Sequence, residues 1–265
     1  MSISWSRLCR DLALGVAAGL ISGFFGVGGG IIVVPILVIA LHIAQKRAQA
    51  TSLVMISCGG VAGVISYAIA SSIAWVPALF ILAGSLAGAW IGAHVVQKLP
   101  DRGLQLAFGV LLTLIALRML FFSPAASASE APVLTALVIA GYLISGLAMG
   151  VFSAMLGVGG GILLIPILIF FFGFPQLLAS GTSLLVMIPT ALLGATRLSR
   201  AGLTNWPMGL RLGAGAICGA LAGALLAFRV SGPLLQIGFA LLLIAVSAQM
   251  IWRSARHTAP VEAPS

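Results

Sequence analysis

Charge is what this sequence has least of. Charged side chains make up 6% of its 265 residues, and only four of them are acids. Soluble domains carry about a quarter charged residues, so a water-soluble globular domain is excluded. The 61% hydrophobic content and mean hydropathy of +1.23 place the chain in a bilayer instead. Alternation of polar and apolar residues is also missing, which removes a membrane β-barrel. Cysteine is scarce: Cys9, Cys58 and Cys218 form no CxxC pair, so they read as packing residues and imply neither a disulfide framework nor a metal site. The acids Asp11, Asp101, Glu130 and Glu262 fall near segment ends or in loops, so a carboxylate relay for protons or sodium is not expected. No Ser-His-Asp set, HExxH or carboxylate pair appears, and the chain does not read as an enzyme. No cofactor or metal is expected. A net charge of +9 would suggest nucleic acid in a soluble protein. In a membrane protein it reads as the loop charge that fixes orientation, with no nucleic-acid partner.

What is present is a short stretch that occurs twice. Gly26-Val27-Gly28-Gly29-Gly30-Ile31 is followed by Pro35-Ile36-Leu37, and Gly157-Val158-Gly159-Gly160-Gly161-Ile162 by Pro166-Ile167-Leu168. The offset of 131 residues holds without a gap well beyond the motif. It pairs Thr51-Ser52-Leu53 with Thr182-Ser183-Leu184, Trp75 with Trp206, and Gly84, Gly88 and Gly92 with Gly215, Gly219 and Gly223. The chain is a duplicated membrane unit. Its predicted layout is a first transmembrane repeat over 1–122, a polar, proline-punctuated linker over 123–132, a second repeat over 133–253 and a cytoplasmic tail over 254–265. Arg7 and Arg10 before the apolar run from Leu12 read as the start of an uncleaved first helix. Each repeat holds four long apolar segments and a short one after the glycines, near 31–43 and 162–174, too short for an ordinary crossing. Whether these short segments count as spans, giving ten or eight, is not fixed by hydropathy.

Basic residues choose the orientation of the two units. Counting the short segments as passages puts 11 of the 13 lysines and arginines on the cytoplasmic side and leaves Arg118 and Arg229 outside. Returning the short segments to the side they came from gives 8 against 5. The expected fold is therefore all-α: a polytopic transmembrane helical bundle of two inverted homologous repeats, with broken or short helices after each GVGGG and both termini cytoplasmic.

Three adjacent glycines disfavour helix, each by about 1 kcal/mol relative to alanine. A break at membrane depth is tolerated where it is buried or lines a cavity. The candidate solute site is Gly26, Gly28, Gly29 and Gly30 with Gly157, Gly159, Gly160 and Gly161, whose N–H groups and following helix dipoles favour an anion. A purely structural hinge is the alternative. Pro35 and Pro166 free a carbonyl in each short helix. Thr51, Ser52, Thr182 and Ser183 open the next apolar segments, either as helix caps or hydroxyls bonded to the preceding turn, or as donors to the solute. The glycines at four-residue spacing, such as Gly15, Gly19 and Gly23, read as helix-packing positions. His42 and His94 have no copies and read as interfacial, while Arg118 and Arg229 snorkel.

A duplicated unit with GxGGGxxxxPxL and a following AxxTSL resembles the sulfite exporter TauE/SafE family of membrane permeases. Both copies match, Gly26–Leu37 with Ala48–Leu53 and Gly157–Leu168 with Ala179–Leu184; the first carries Ala50 where the second carries Gly181. The resemblance implies export of a small anion such as sulfite, sulfoacetate or a related sulfonate across a bacterial inner membrane. A channel or importer, and a membrane scaffold that transports nothing, are the alternatives.

Overall fold

The computed structural model describes residues 5–95, 101–121 and 134–256. The linker 123–132 and tail residues 257–265 lie outside them. Ten helices follow in order: α1 (Trp5–Phe25), α2 (Gly30–Ile39), α3 (Gln45–Ile69), α4 (Trp75–Val95), α5 (Asp101–Phe121), α6 (Ala136–Leu156), α7 (Gly161–Phe172), α8 (Gln176–Arg200), α9 (Trp206–Ala227) and α10 (Gly232–Arg256). There is no strand among the described residues. Seven of the helices are long and apolar enough to cross a membrane. Helices α2 and α7, with 10 and 12 residues, reach only about 15–18 Å at 1.5 Å per residue, short of a bilayer's apolar core.

The register of packed helices fixes how the repeats relate. Gly60 and Gly63 of α3 face Ile188 and Leu184 of α8, while Leu53 meets Gly194, so α3 and its copy α8 run antiparallel. Contacts recur in reciprocal pairs across the 131-residue offset. Gly15 abuts the Leu212 carbonyl as Gly146 abuts that of Ile81; Gly219 abuts Val16 as Gly88 abuts Leu147. Such isologous pairing is the mark of a two-fold axis, and one that reverses α3 into α8 lies across the helices. The duplication is inverted.

The repeats are not separate bodies. Helix α1 lies on α9 and α6 on α4, so each half lends its first helix to the other, with α3 against α9 and α4 against α8. These pairs approach so closely that a Cβ at Gly15, Gly19 or Gly23 would overlap a carbonyl oxygen of α9, and one at Gly84 or Gly88 a carbonyl of α6. The four-residue glycine spacing is therefore backbone-to-backbone packing. It also explains the difference between the copies: a Cβ at Gly181 would overlap the Ser72 carbonyl, whereas Ala50 is accommodated fully buried.

Two sequence expectations change. Cys9 and Cys218 sit on the exposed surface of the bundle, and of the three cysteines only Cys58 packs inside, against Gly213. Asp11 is not at a segment edge: it lies within α1, fully buried, held by Arg10 at 2.9 Å and by Arg211 of α9 at 3.0 Å. An unpaired carboxylate there would be costly, and the two arginines tie the start of α1 to α9. The equivalent positions in the other half, Tyr142 and Phe80, carry no charge.

Candidate functional site

Both glycine stretches break the chain. Helix α1 ends at Phe25 and α2 begins at Gly30; α6 ends at Leu156 and α7 begins at Gly161. The residues that start the short helices, Gly29 (φ 66) and Gly160 (φ 75), are left-handed and offer no side chain to cap the helix. That conformation costs an L side chain about 1–2 kcal/mol, which is why glycine stands there.

The two breaks meet at the centre of the bundle. A Cβ at Gly30 would lie 2.5 Å from the Gly157 carbonyl, and one at Gly161 would lie 2.8 Å from that of Gly26. Gly28 and Gly159 both face the methyl end of Met187, with Ile56, its copy in the first repeat, beside them. Gly26, Gly28, Gly29, Gly30, Gly157, Gly159, Gly160 and Gly161 are all buried. The structure thus gathers the eight glycines of the candidate site. Pro35 and Pro166 lie inside α2 and α7, each freeing the carbonyl four residues earlier.

The hydroxyls behave differently from the expectation. Thr51, Ser52, Thr182 and Ser183 do not open α3 and α8, which begin at Gln45 and Gln176, six residues before the threonines. They are therefore not helix caps. Ser52 donates to the Gly157 carbonyl and to that of Gln49 (2.8 Å), and Ser183 donates to the Gly26 carbonyl at 3.1 Å. Thr51 accepts the Asn205 N–H at 3.2 Å and Thr182 the Ala74 N–H at 3.0 Å, the starts of α9 and α4. All of these but the Ser52–Gln49 bond cross from one repeat to the other. In the described arrangement the two serines turn to carbonyls and the two threonines face away from the breaks.

This pattern leaves each break electrically lopsided. At the end of α1, Ser180 donates to the Phe25 carbonyl (2.9 Å), Ser183 to Gly26 and Tyr67 to Gly23 (3.0 Å); at the end of α6, Ser52 serves Gly157. The negative end of α1 is satisfied by side chains, and at the end of α6 the Gly157 carbonyl is. The positive ends are not. Among the described residues, the N–H groups of Val27, Gly28, Gly29 and Ile31 find no acceptor, nor do those of Val158, Gly159, Gly160, Gly161 and Ile162. Unpaired amide hydrogens at a helix start attract negative charge.

A cavity of about 60 Å³ reaches the second break, bounded by Leu156 and Val158, by Ile31 and Pro35 of α2, and by polar Gln45, Gln49 and Gln249. Sequence reading missed the glutamines: Gln49 occupies a variable place inside AxxTSL, and Gln249 is remote in the chain. Met187 was missed too, since a methionine in an apolar run carries no signal of its own. Among the described residues no cluster of histidines, cysteines or acids could hold a metal ion.

The cross-repeat serine bonds are testable. Ser52→Ala and Ser183→Ala should each lower stability by about 1–3 kcal/mol, because a buried carbonyl loses its donor. The measurement is the thermal midpoint of the purified protein; unchanged midpoints would show that the bonds contribute nothing.

A family model described as "Sulfite exporter TauE/SafE" matches residues 2–119 and 142–265. Similar proteins include a probable membrane transporter protein of Xylella fastidiosa strain Temecula1, 32% identical over 93% of this chain and 96% of its own length. The probable membrane transporter proteins YunE and YdhB of Bacillus subtilis strain 168 are also similar. YunE is 24% identical over 91% of this chain and 96% of its own length, and YdhB 27% identical over 78% and 84%.

Proposed function

The chain belongs to the sulfite exporter TauE/SafE family and is a multi-pass membrane transporter, and from that premise we propose that it carries a small anion, sulfite, a sulfonate or a related organic anion, outward across a bacterial inner membrane. The observation that carries this reading is the pair of breaks: side-chain hydroxyls take up the Phe25, Gly26 and Gly157 carbonyls while the amide hydrogens of both glycine runs are left over. A basic side chain or metal ion is not required to hold the anion. Both termini face the cytoplasm, a reading supported by the distribution of the basic residues and by the antiparallel relation of α3 and α8. The first repeat extends over 1–122 and the second over 133–253. The chain performs no enzymatic step.

Inverted-repeat transporters expose a central site to each side in turn. Here the exchange of α1 and α6 between halves means that the rocking bodies are not the two repeats. They are α1, α3 and α9 on one side and α4, α6 and α8 on the other, each bound by close glycine contacts, with the α3–α8 contact as the sliding surface. The glycine breaks sit on that surface. Side-chain-free backbone there lets the bodies shift without collision.

In liposomes, wild-type protein should take up labelled sulfite or sulfonate faster when the same anion is present on the opposite face, as a carrier does and a channel does not. Candidate anions should also raise the thermal midpoint, by RT ln(1 + [L]/Kd) in free energy, while uncharged analogues leave it unchanged. No midpoint shift and no flux with any sulfur oxyanion, sulfonate or carboxylate would remove the anion reading.

A further inference from the structure

Gln45, Gln49 and Gln249 come from α3 and α10, far apart in sequence, and line one cavity that ends on Val158 of the α6–α7 break. Gln49 is 6% exposed, and its side chain makes no hydrogen bond among the described residues; neither do those of Gln45 and Gln249. Its backbone lies directly on Gly157, where a Cβ would sit 2.6 Å from that of Gln49. Gln49 is buried and Gln45 and Gln249 are half-buried, so three amides that bond to no protein group border one small cavity and offer their N–H donors to whatever enters it. No charged side chain lines the space, while Lys46 and Arg47 stand in the same first turn of α3 as Gln45.

The opposite end of the two-fold gives the contrast. There Gln176 replaces Gln45, Ser180 replaces Gln49 and Arg118 replaces Gln249. Gln176 is buried with neither amide atom partnered, and Ser180 is tied to the Phe25 carbonyl. One end holds a cavity with amides around it; at the other the matching amide is enclosed.

We propose that the Gln45–Gln49–Gln249 cavity is the binding vestibule through which a small oxyanion reaches the α6–α7 break from one end of the bundle, with the amide N–H groups as its donors. This rests on the anion reading of the previous subsection. The volume holds about four waters at roughly 15 Å³ each, which suits a sulfite or a short carboxylate and excludes a bulky sulfonate unless α10 moves. Neutral donors suit a carrier, because an anion held by amides and backbone N–H groups leaves more readily than one paired with a buried cation.

The experiment is titration of the purified full chain in lipid nanodiscs with sulfite and with acetate. Gln49→Leu and Gln249→Leu should each raise Kd about tenfold, the worth of one net hydrogen bond to a charged group, and the double variant should multiply the two. Gln236→Leu is the control: its amide donates to the Met119 carbonyl at 3.3 Å, away from the cavity, and it should leave Kd unchanged. Size-exclusion profile and thermal midpoint establish folding. If Gln49→Leu does not fold, the partly exposed Gln249→Leu decides alone. Wild-type Kd in a folded Gln249→Leu variant overturns the vestibule and leaves the anion reading intact. A wild-type protein that binds neither probe, nor any larger sulfonate, overturns both.

Discussion

Gly159→Ala should cut anion flux by about tenfold or more, equivalent to some 1.4 kcal/mol in the transport barrier, and Met187→Ala in the same chain should restore much of it. The added methyl would overlap the Met187 methyl group and press on Ile56 at 3.2 Å, at a residue with φ 89. The collision involves the far end of a flexible side chain, so shortening that side chain removes it; the backbone strain of about 1–2 kcal/mol stays. Partial recovery is therefore the expected result. Met187→Ala alone enlarges the core at a cost of about 2–5 kcal/mol, which makes the thermal midpoint a necessary companion to the flux assay. Wild-type flux in Gly159→Ala would show that the shape of the break has no part in transport. Valine at Gly29 or Gly160 should abolish flux as well. It is the less discriminating change, because its Cβ meets the Ala18 carbonyl at 2.5 Å or that of Met149 at 2.6 Å, and backbone must then move.

The largest loss of stability should follow Gly19→Leu. A Cβ at Gly19 already lies 2.6 Å from the Ala216 Cα and overlaps its carbonyl oxygen; across the same interface Gly219 is pressed against Val16 in the same way. A leucine would force α1 and α9 apart along their length and break the contact of Asp11 with Arg211 at its end. The cost should exceed about 4 kcal/mol, the range reserved for disrupted cores, and folded protein should not be recovered from detergent extracts. Gly19→Ala should fall between this and the wild type. Gly232→Ala, at a position with nothing within 4 Å of the new methyl, should stay within about 0.5 kcal/mol of it. A monodisperse, thermally stable Gly19→Leu variant would contradict the close packing described.

The duplication, the helical class, the short helices and the breaks were legible in the sequence because each depends on local information. Glycine runs oppose helix wherever they stand, and a constant offset of 131 residues needs no structure to be seen. What was illegible depends on distant partners. The hydroxyl of Ser52 looks the same whether it serves a solute or the Gly157 carbonyl, 105 residues away. Asp11 looked peripheral because Arg211, which shields it, lies 200 residues on. The starts of α3 and α8 were placed late, since Gln45-Lys46-Arg47 and Ser180-Gly181-Thr182-Ser183 are polar enough to resemble loop. Ser180, Thr182 and Ser183 are polar yet fully buried, and Gln45 borders the cavity beside the break. Hydropathy cannot separate that from water.

The exchange of first helices has a consequence for synthesis. Helix α1 leaves the ribosome well before its mate α9, with seven helices between them. Throughout that interval the groove of Gly15, Gly19 and Gly23 has only lipid or the insertion machinery to lie against, and Asp11 waits for Arg211. The α1–α9 interface can therefore close only after the carboxyl-terminal half has been inserted.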